Sequence, residues 1–253
     1  MMNIIKTKNP WLIFPQPNPQ AKLRLFCFPY AGGGASIFRE WYKQLNSEIE
    51  ICAVQLPGRE NRLIEAPFNH LQPLINALSQ EILPNLNQPF AFFGHSMGGL
   101  ICFELARYLQ QKHDLKPLHL FISGARAPHI PERKPPIHSL PQPEFIQELR
   151  RLNGTPAAVL ENRELMEFLS PTLRADFAIL ETYIYTESAP LSCGITALGG
   201  LEDTEVTPEE LAAWKQHTSG NFSMEMLPGN HFFLHSHRVQ LLELLSKYIE
   251  FPD

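Results

Sequence analysis

Residues 89–111 read PFAFFGHSMGGLICFELARYLQQ. Pro89–Phe93 is apolar on every side chain, as expected of a strand buried on both faces. From Met97 to Gln111 the pattern becomes that of a helix. Between the two stands Gly94-His95-Ser96-Met97-Gly98, a G-x-S-x-G pentapeptide. Gly and Ser are common, so the pentapeptide is weak evidence by itself. Its position between a strand and a helix is informative. A serine on such a turn is lifted above the end of the sheet, and the flanking glycines let strand and helix approach closely. The alternative is a glycine-rich helix start with a capping serine.

The same rhythm extends outward. Leu23–Pro29, Ile49–Leu56, Leu118–Ser123, Gly194–Leu198 and Phe222–Leu227 read as further strands. A Gly-rich turn at 30–36 feeds a helix expected to run through Asn46. Helices are also expected at His70–Leu83, Pro208–His217 and about Leu234 to Ile249, whereas residues 1–20 read as an irregular leader. Apolar strands alternating with helices imply an α/β fold with a mostly parallel sheet covered on both faces. The rhythm breaks over about 125–188. There a proline-rich stretch, RAPHIPERKPPIHSL, precedes two helical segments, Pro143–Leu152 and Glu164–Tyr185, with no strand between them. This segment reads as an insertion on the rim of one domain spanning 1–253.

Serine is a weak nucleophile at neutral pH and needs a base and a group to orient that base. For this architecture the chain order is Ser, acid, His. The base should follow the last strand, where His231 stands; His235 and His237 are its rivals. The acid should follow the strand before, in Gly199-Gly200-Leu201-Glu202-Asp203. Asp203 leads there, with Glu202 and Glu205 as alternatives. The oxyanion donors should be the backbone N–H of Met97, just after the serine, and one from the loop after the first strand, for which Ala31 is chosen.

Twenty-one Lys+Arg against 26 Asp+Glu give 253 residues a net charge of −5. That balance disfavours nucleic acid and anionic membranes as partners, because both select cationic surfaces. No run approaches the roughly 18 apolar residues of a membrane span, and no secretory signal is expected. Cys27, Cys52, Cys102 and Cys193 lie in or beside apolar stretches without a C-x-x-C pair, so reduced buried thiols and a cytoplasmic protein are expected. No metal-ligand spacing is present. A monomer is the default.

The chain resembles the type II thioesterases that accompany non-ribosomal peptide and polyketide synthases. Phe28-Pro29-Tyr30-Ala31-Gly32-Gly33, Leu56-Pro57-Gly58-Arg59-Glu60, Gly94-His95-Ser96-Met97-Gly98-Gly99 and Gly124-Ala125-Arg126-Ala127-Pro128 carry the resemblance. So do Gly154-Thr155-Pro156, Leu173-Arg174-Ala175-Asp176, Ala197-Leu198-Gly199-Gly200 with Asp203, and Gly229-Asn230-His231-Phe232-Phe233. It runs from about residue 20 to 245 and implies an α/β-hydrolase fold. It also implies Ser96 as nucleophile, Asp203 as acid, His231 as base, and Met97 and Ala31 as oxyanion donors. The insertion becomes a mobile helical lid. Asn230 replaces a usual Gly, and Thr204 a frequent Pro.

The implied reaction is hydrolysis of acyl groups from the 4′-phosphopantetheine arm of carrier-protein domains, clearing mis-primed or stalled chains. No cofactor is implied, since the phosphopantetheine belongs to the substrate. Alternatives are a medium-chain fatty-acyl thioesterase, a carboxylesterase and a catalytically silent carrier-binding protein. A terminating cyclase excised from a synthase is another; an initial Met and the lack of a fused carrier domain favour a protein acting in trans. Phe145, Phe168, Phe177 and Tyr183 are candidates to line the acyl channel. Arg59, Arg126, Arg133 and Lys134 are candidates to meet the carrier.

Overall fold

The computed structural model describes residues 9–249 and 251. Residues 1–8 of the expected leader lie outside the described residues. The chain builds one seven-stranded sheet from β1 (Leu12–Ile13), β2 (Leu23–Phe28), β3 (Ile49–Val54), β4 (Phe90–His95), β5 (His119–Ser123), β6 (Gly194–Gly200) and β7 (Phe222–Leu227). The strand order is β1-β3-β2-β4-β5-β6-β7. β1 is antiparallel to β3, and every other neighbouring pair is parallel. β1 is a correction to the irregular reading of residues 9–20: two residues are too few for a period to show.

Alternation along the strands sorts two cores. Phe26 and Phe28 of β2, with Phe92 of β4 and Ile122 of β5, face helices α1 (Leu71–Ile82) and α2 (Met97–His113). Leu25, Cys27, Phe93 and Phe121 point the other way, against Phe38, Trp41 and helix α8 (Arg238–Tyr248). Each face thus buries a full apolar layer, at about 25 cal/mol per Å² of apolar surface removed from water.

The helix expected through Asn46 is instead two short 3-10 turns, Ala35–Phe38 and Trp41–Lys43. The reason lies in packing. Phe38 and Trp41 stand three residues apart, and their rings meet edge to face at 4.9 Å in the same core. Phe38 ends the first turn and Trp41 begins the second, and the break at Arg39-Glu40 lets both rings enter the core together. The closing helix is also interrupted. α7 (Phe233–Ser236) and α8 are separated by His237, whose φ of −122° and ψ of 35° are not helical.

The insertion is helical, as expected, with α3 (Gln142–Leu152), the single turn α4 (Ala157–Leu160) and α5 (Arg163–Glu181). A small core of its own gathers Ile137, Phe145, Leu149, Leu160, Met166 and Leu173. The proline-rich segment before it is held from α5. Arg174 donates to the carbonyls of His138 at 2.8 Å and Leu140 at 2.7 Å, and lies over the Phe145 ring at 4.1 Å. After β6 comes α6 (Pro208–Ala212), started by a Thr207–Glu210 capping box.

Candidate active site

Ser96 occupies the turn from β4 into α2 at φ 54° and ψ −116°. A non-Gly residue there is strained, and the surroundings must hold it. The Ser96 N–H donates to the Ser123 carbonyl on β5 at 2.7 Å. The glycines are obligatory for packing reasons. A Cβ on Gly94 would lie 2.1 Å from the Gly98 carbonyl oxygen, and one on Gly98 would lie 2.2 Å from the Phe28 carbonyl oxygen. Strand, turn and helix therefore approach at backbone distance.

His231 follows β7 in a loop that turns at Gly229, φ +101°. Its Nδ1 stands 2.8 Å from Oδ2 of Asp203, just beyond β6. The other carboxylate oxygen, Oδ1, accepts from the Glu205 N–H at 2.7 Å and the Val206 N–H at 3.2 Å. The Asp203 side chain is 1% exposed. Of the rival acids, Glu205 is taken by Lys134 and Arg151, and Glu202 is exposed. Of the rival bases, His235 pairs with the Tyr30 hydroxyl and His237 with the Ser236 hydroxyl.

Ser96 and His231 line the same two cavities. The larger, of about 500 Å³, runs under the insertion past Ile137, Leu152, Phe177, Leu180 and Tyr183. A smaller one, of about 70 Å³, lies toward Tyr30, Ala31, Leu149, Leu173 and Phe232. No hydrogen bond joins Ser96 Oγ to the His231 ring in this arrangement, although both line the same chamber. Among the described residues, neither the Ala31 nor the Met97 N–H donates to a protein acceptor. Both are free to meet an oxyanion.

Sequence reasoning gave no role to His95, which packs behind this group. It is fully buried, with its ring centroid 5.1 Å from that of His231 and Nδ1 2.9 Å from Ser123 Oγ. Burial first, then the proximity of His231 and His235, hold its pKa well below the usual histidine value. It stays neutral and adds no charge beside His231.

The candidate channel and carrier residues divide. Phe177 and Tyr183 line the larger cavity, but Phe145 is fully buried in the core of the insertion and Phe168 is exposed. Arg59 does not reach the surface; it is buried and paired with Asp176. Arg126, Arg133 and Lys134 stand at the cavity mouth, where Glu132, Glu210 and Glu205 respectively pair with them. All four cysteines are buried and free. Among the described residues no group of three or more His, Cys, Asp or Glu could hold a metal, and no helix is long and apolar enough to cross a membrane.

Comparison with known proteins adds to this geometry. The chain is 50% identical over 243 residues to the linear gramicidin dehydrogenase LgrE of Brevibacillus parabrevis, covering 95% of this chain and 92% of that protein. It is 50% identical over 248 residues to the gramicidin S biosynthesis protein GrsT of Aneurinibacillus migulanus, covering 98% and 97%. The solved structure of YbtT, a type II thioesterase from the yersiniabactin NRPS/PKS pathway, superposes with a TM-score of 0.86 at 30% identity over 96% of this chain and 98% of that one. The thioesterase domain family model matches residues 23–249. With its parallel sheet, its serine turn and this match, the chain belongs to the thioesterase family of the α/β-hydrolase fold.

Proposed function

We propose that this protein hydrolyses acyl thioesters carried on the 4′-phosphopantetheine arm of carrier-protein domains, clearing mis-primed or stalled groups during non-ribosomal peptide or polyketide synthesis. The observation that carries the reading is the Asp203–His231 hydrogen bond at 2.8 Å, in a site where Ser96 and His231 open to the same cavity. The relatives' names, gramicidin S biosynthesis and a yersiniabactin NRPS/PKS pathway, support the choice of partner.

Ser96 Oγ attacks the thioester carbonyl as Nε2 of His231 takes its proton. Asp203 holds the imidazole with Nδ1 protonated and stabilises the imidazolium. The Met97 and Ala31 N–H groups receive the tetrahedral oxyanion; one such donor is worth roughly 3 kcal/mol in the transition state. His231 returns the proton to the departing thiol, leaving an acyl-Ser96 ester. Water, activated by the same imidazole, then releases the free acid. The scheme requires no metal or redox cofactor, since the pantetheine arrives with the substrate. Every group in it comes from one polypeptide, which fits a monomer. Four free thiols fit a reducing cytoplasm.

LgrE carries the name of a dehydrogenase. Residues 94–99, GHSMGG, do not form the G-x-G-x-x-G dinucleotide fingerprint, and β2 leads into a 3-10 turn rather than a long helix whose N-terminus could receive a pyrophosphate. Hydrolysis is the chemistry these residues support.

The test offers the protein and its Ser96→Ala variant a panel of acyl-loaded carriers, acetyl to dodecanoyl, with matched free esters. Intact-mass spectrometry reads loss of each acyl group. Ser96-dependent clearance of short chains from carriers is expected. Turnover of esters alone would overturn the substrate assignment, and preference for eight to twelve carbons would make it a fatty-acyl chain-releasing enzyme.

A further inference from the structure

One buried ion pair lies outside the reacting groups yet touches the loop that supplies Ala31. Asp176 of α5 is 0% exposed and Arg59 is 6% exposed. Arg59 Nη2 donates to Asp176 Oδ1 and Arg59 Nη1 to Oδ2, each at 2.7 Å, in a bidentate pairing of groups 117 residues apart. Neither residue spends all its hydrogen bonds on the other. Asp176 Oδ2 also accepts the Gly32 N–H at 2.7 Å, and Arg59 Nη1 also donates to the Gly33 carbonyl at 3.1 Å.

Those two backbone groups belong to the turn that contains Ala31. The Gly33 N–H closes it on the Tyr30 carbonyl at 2.9 Å, and Gly32 has a φ of +79°. A positive φ at the third residue marks a type II turn, with Ala31 at the second position. Tyr30 packs at the head of this turn against His95, Phe232 and His235, but Ala31, Gly32 and Gly33 carry no long side chain to hold the peptide groups that follow. Those groups are oriented from outside. Asp176 takes the N–H after Ala31, Arg59 takes the carbonyl after that, and Leu173, one helical turn before Asp176, packs so close that a Cβ on Gly32 would lie 2.6 Å from its Cδ2. Gln55 completes the frame: it accepts the Ala35 N–H at 2.7 Å and donates to the Arg59 carbonyl at 3.0 Å.

A buried pair is a poor device for stability, because the cost of desolvating both charges offsets most of their attraction. It is a good device for direction, since both groups have fixed planar geometry. We infer that Arg59 and Asp176 are positioning residues which, through Gly32 and Gly33, aim the Ala31 N–H at the oxyanion and so tie the oxyanion hole to helix α5 of the insertion. The inference rests on the hydrolase reading above. It also means that the Thr172–Asp176 stretch is anchored to the core side of the site, Thr172 donating to the Gly58 carbonyl at 2.7 Å.

The experiment compares the full chain with Asp176→Asn and Arg59→Lys. Four quantities are read: kcat and KM on an acyl-loaded carrier, affinity for an acyl trifluoromethyl ketone, and carrier binding in a Ser96→Ala background. The ketone forms a tetrahedral adduct with Ser96 and places its oxyanion in the hole. Losing one donor costs about 100- to 1,000-fold in kcat, so misdirecting it should cost about 10- to 100-fold. Ketone affinity should fall by the same factor, with KM and carrier binding within about twofold. Arg59→Lys keeps the charge but loses the fork, so Asp176 is not left unpaired; it decides the matter if Asp176→Asn does not fold. Folded variants with a lower Tm but unchanged kcat and ketone affinity would show a merely structural pair and overturn the inference. Hydrolysis that survives Ser96→Ala would instead remove the Ser96 nucleophile, and with it the reading on which the inference rests.

Discussion

Oδ2 of Asp203 and Nδ1 of His231 stand 2.8 Å apart, while two backbone N–H groups occupy the other oxygen of the same carboxylate. The carboxylate is thereby oriented, and the imidazole is held with Nε2 free toward the Ser96 chamber. Asp203→Asn keeps the shape but no longer enforces that tautomer. We expect kcat to fall by about 10³- to 10⁴-fold with KM little changed, read by steady-state hydrolysis of an acyl-loaded carrier. A loss under tenfold would return the acid's role to Glu202 or Glu205.

Gly98→Ala tests the serine turn by packing alone. The new Cβ would meet the Phe28 carbonyl oxygen at 2.2 Å, and backbone on neither side can withdraw cheaply. Overpacking of this kind costs about 1–3 kcal/mol or more. The expected result is a Tm lowered by several degrees together with weak labelling of Ser96 by a fluorophosphonate. A variant with native Tm and full labelling would mean that the turn has more room than the geometry allows.

Six of the seven strands, β2 to β7, are legible in the sequence because each is a short, largely apolar run ended by Gly, Pro or a polar turn, whereas the two-residue β1 is not. Ser96, Asp203 and His231 are legible because each follows its strand within a few residues. Other features needed three dimensions. The 3-10 turns at Ala35–Phe38 and Trp41–Lys43 arise from the pairing of Phe38 with Trp41 inside the core, which no local period announces. The Arg59–Asp176 pair joins residues far apart in the chain, and Arg59 in isolation reads as surface charge. The sequence signal that did exist was the resemblance of Leu56–Glu60 and Leu173–Asp176 to family motifs, which marks positions without giving their contact.

The thiols should be inert in the native protein. Burial pushes Cys193 up to about 12 and raises Cys27, Cys52 and Cys102 well above the usual thiol value. The thiolate is the reactive form, so access and ionisation both oppose modification. Iodoacetamide at pH 8 should leave the native chain unlabelled over an hour and modify four residues after denaturation in guanidinium. Fast labelling of one thiol without denaturation would show an opening that the packed sheet does not contain.

Stability should fall with acid before the carboxylates titrate. His217 is 5% exposed, and its Nε2 is 2.7 Å from Nδ1 of His129. Burial first, then the proximity of His129 and Arg107, push its pKa down to about 4. Burial pushes His119 down to about 4 as well. In the unfolded chain both return to about 6.5. Between pH 6.5 and 4 the unfolded chain therefore holds protons that the folded chain refuses, and linkage makes the unfolding free energy rise with pH across that window. The contribution is complete above about pH 6.5 and is lost as pH falls toward 4. Urea unfolding at intervals from pH 7.5 to 4.5 should show this slope. In His217→Gln the slope should shrink by about one proton's worth, because one of three buried imidazoles with lowered pKa, His95, His119 and His217, is gone. An unchanged slope in that variant would mean that His217 accepts its proton in the folded state, with the His129 contact rearranging to allow it.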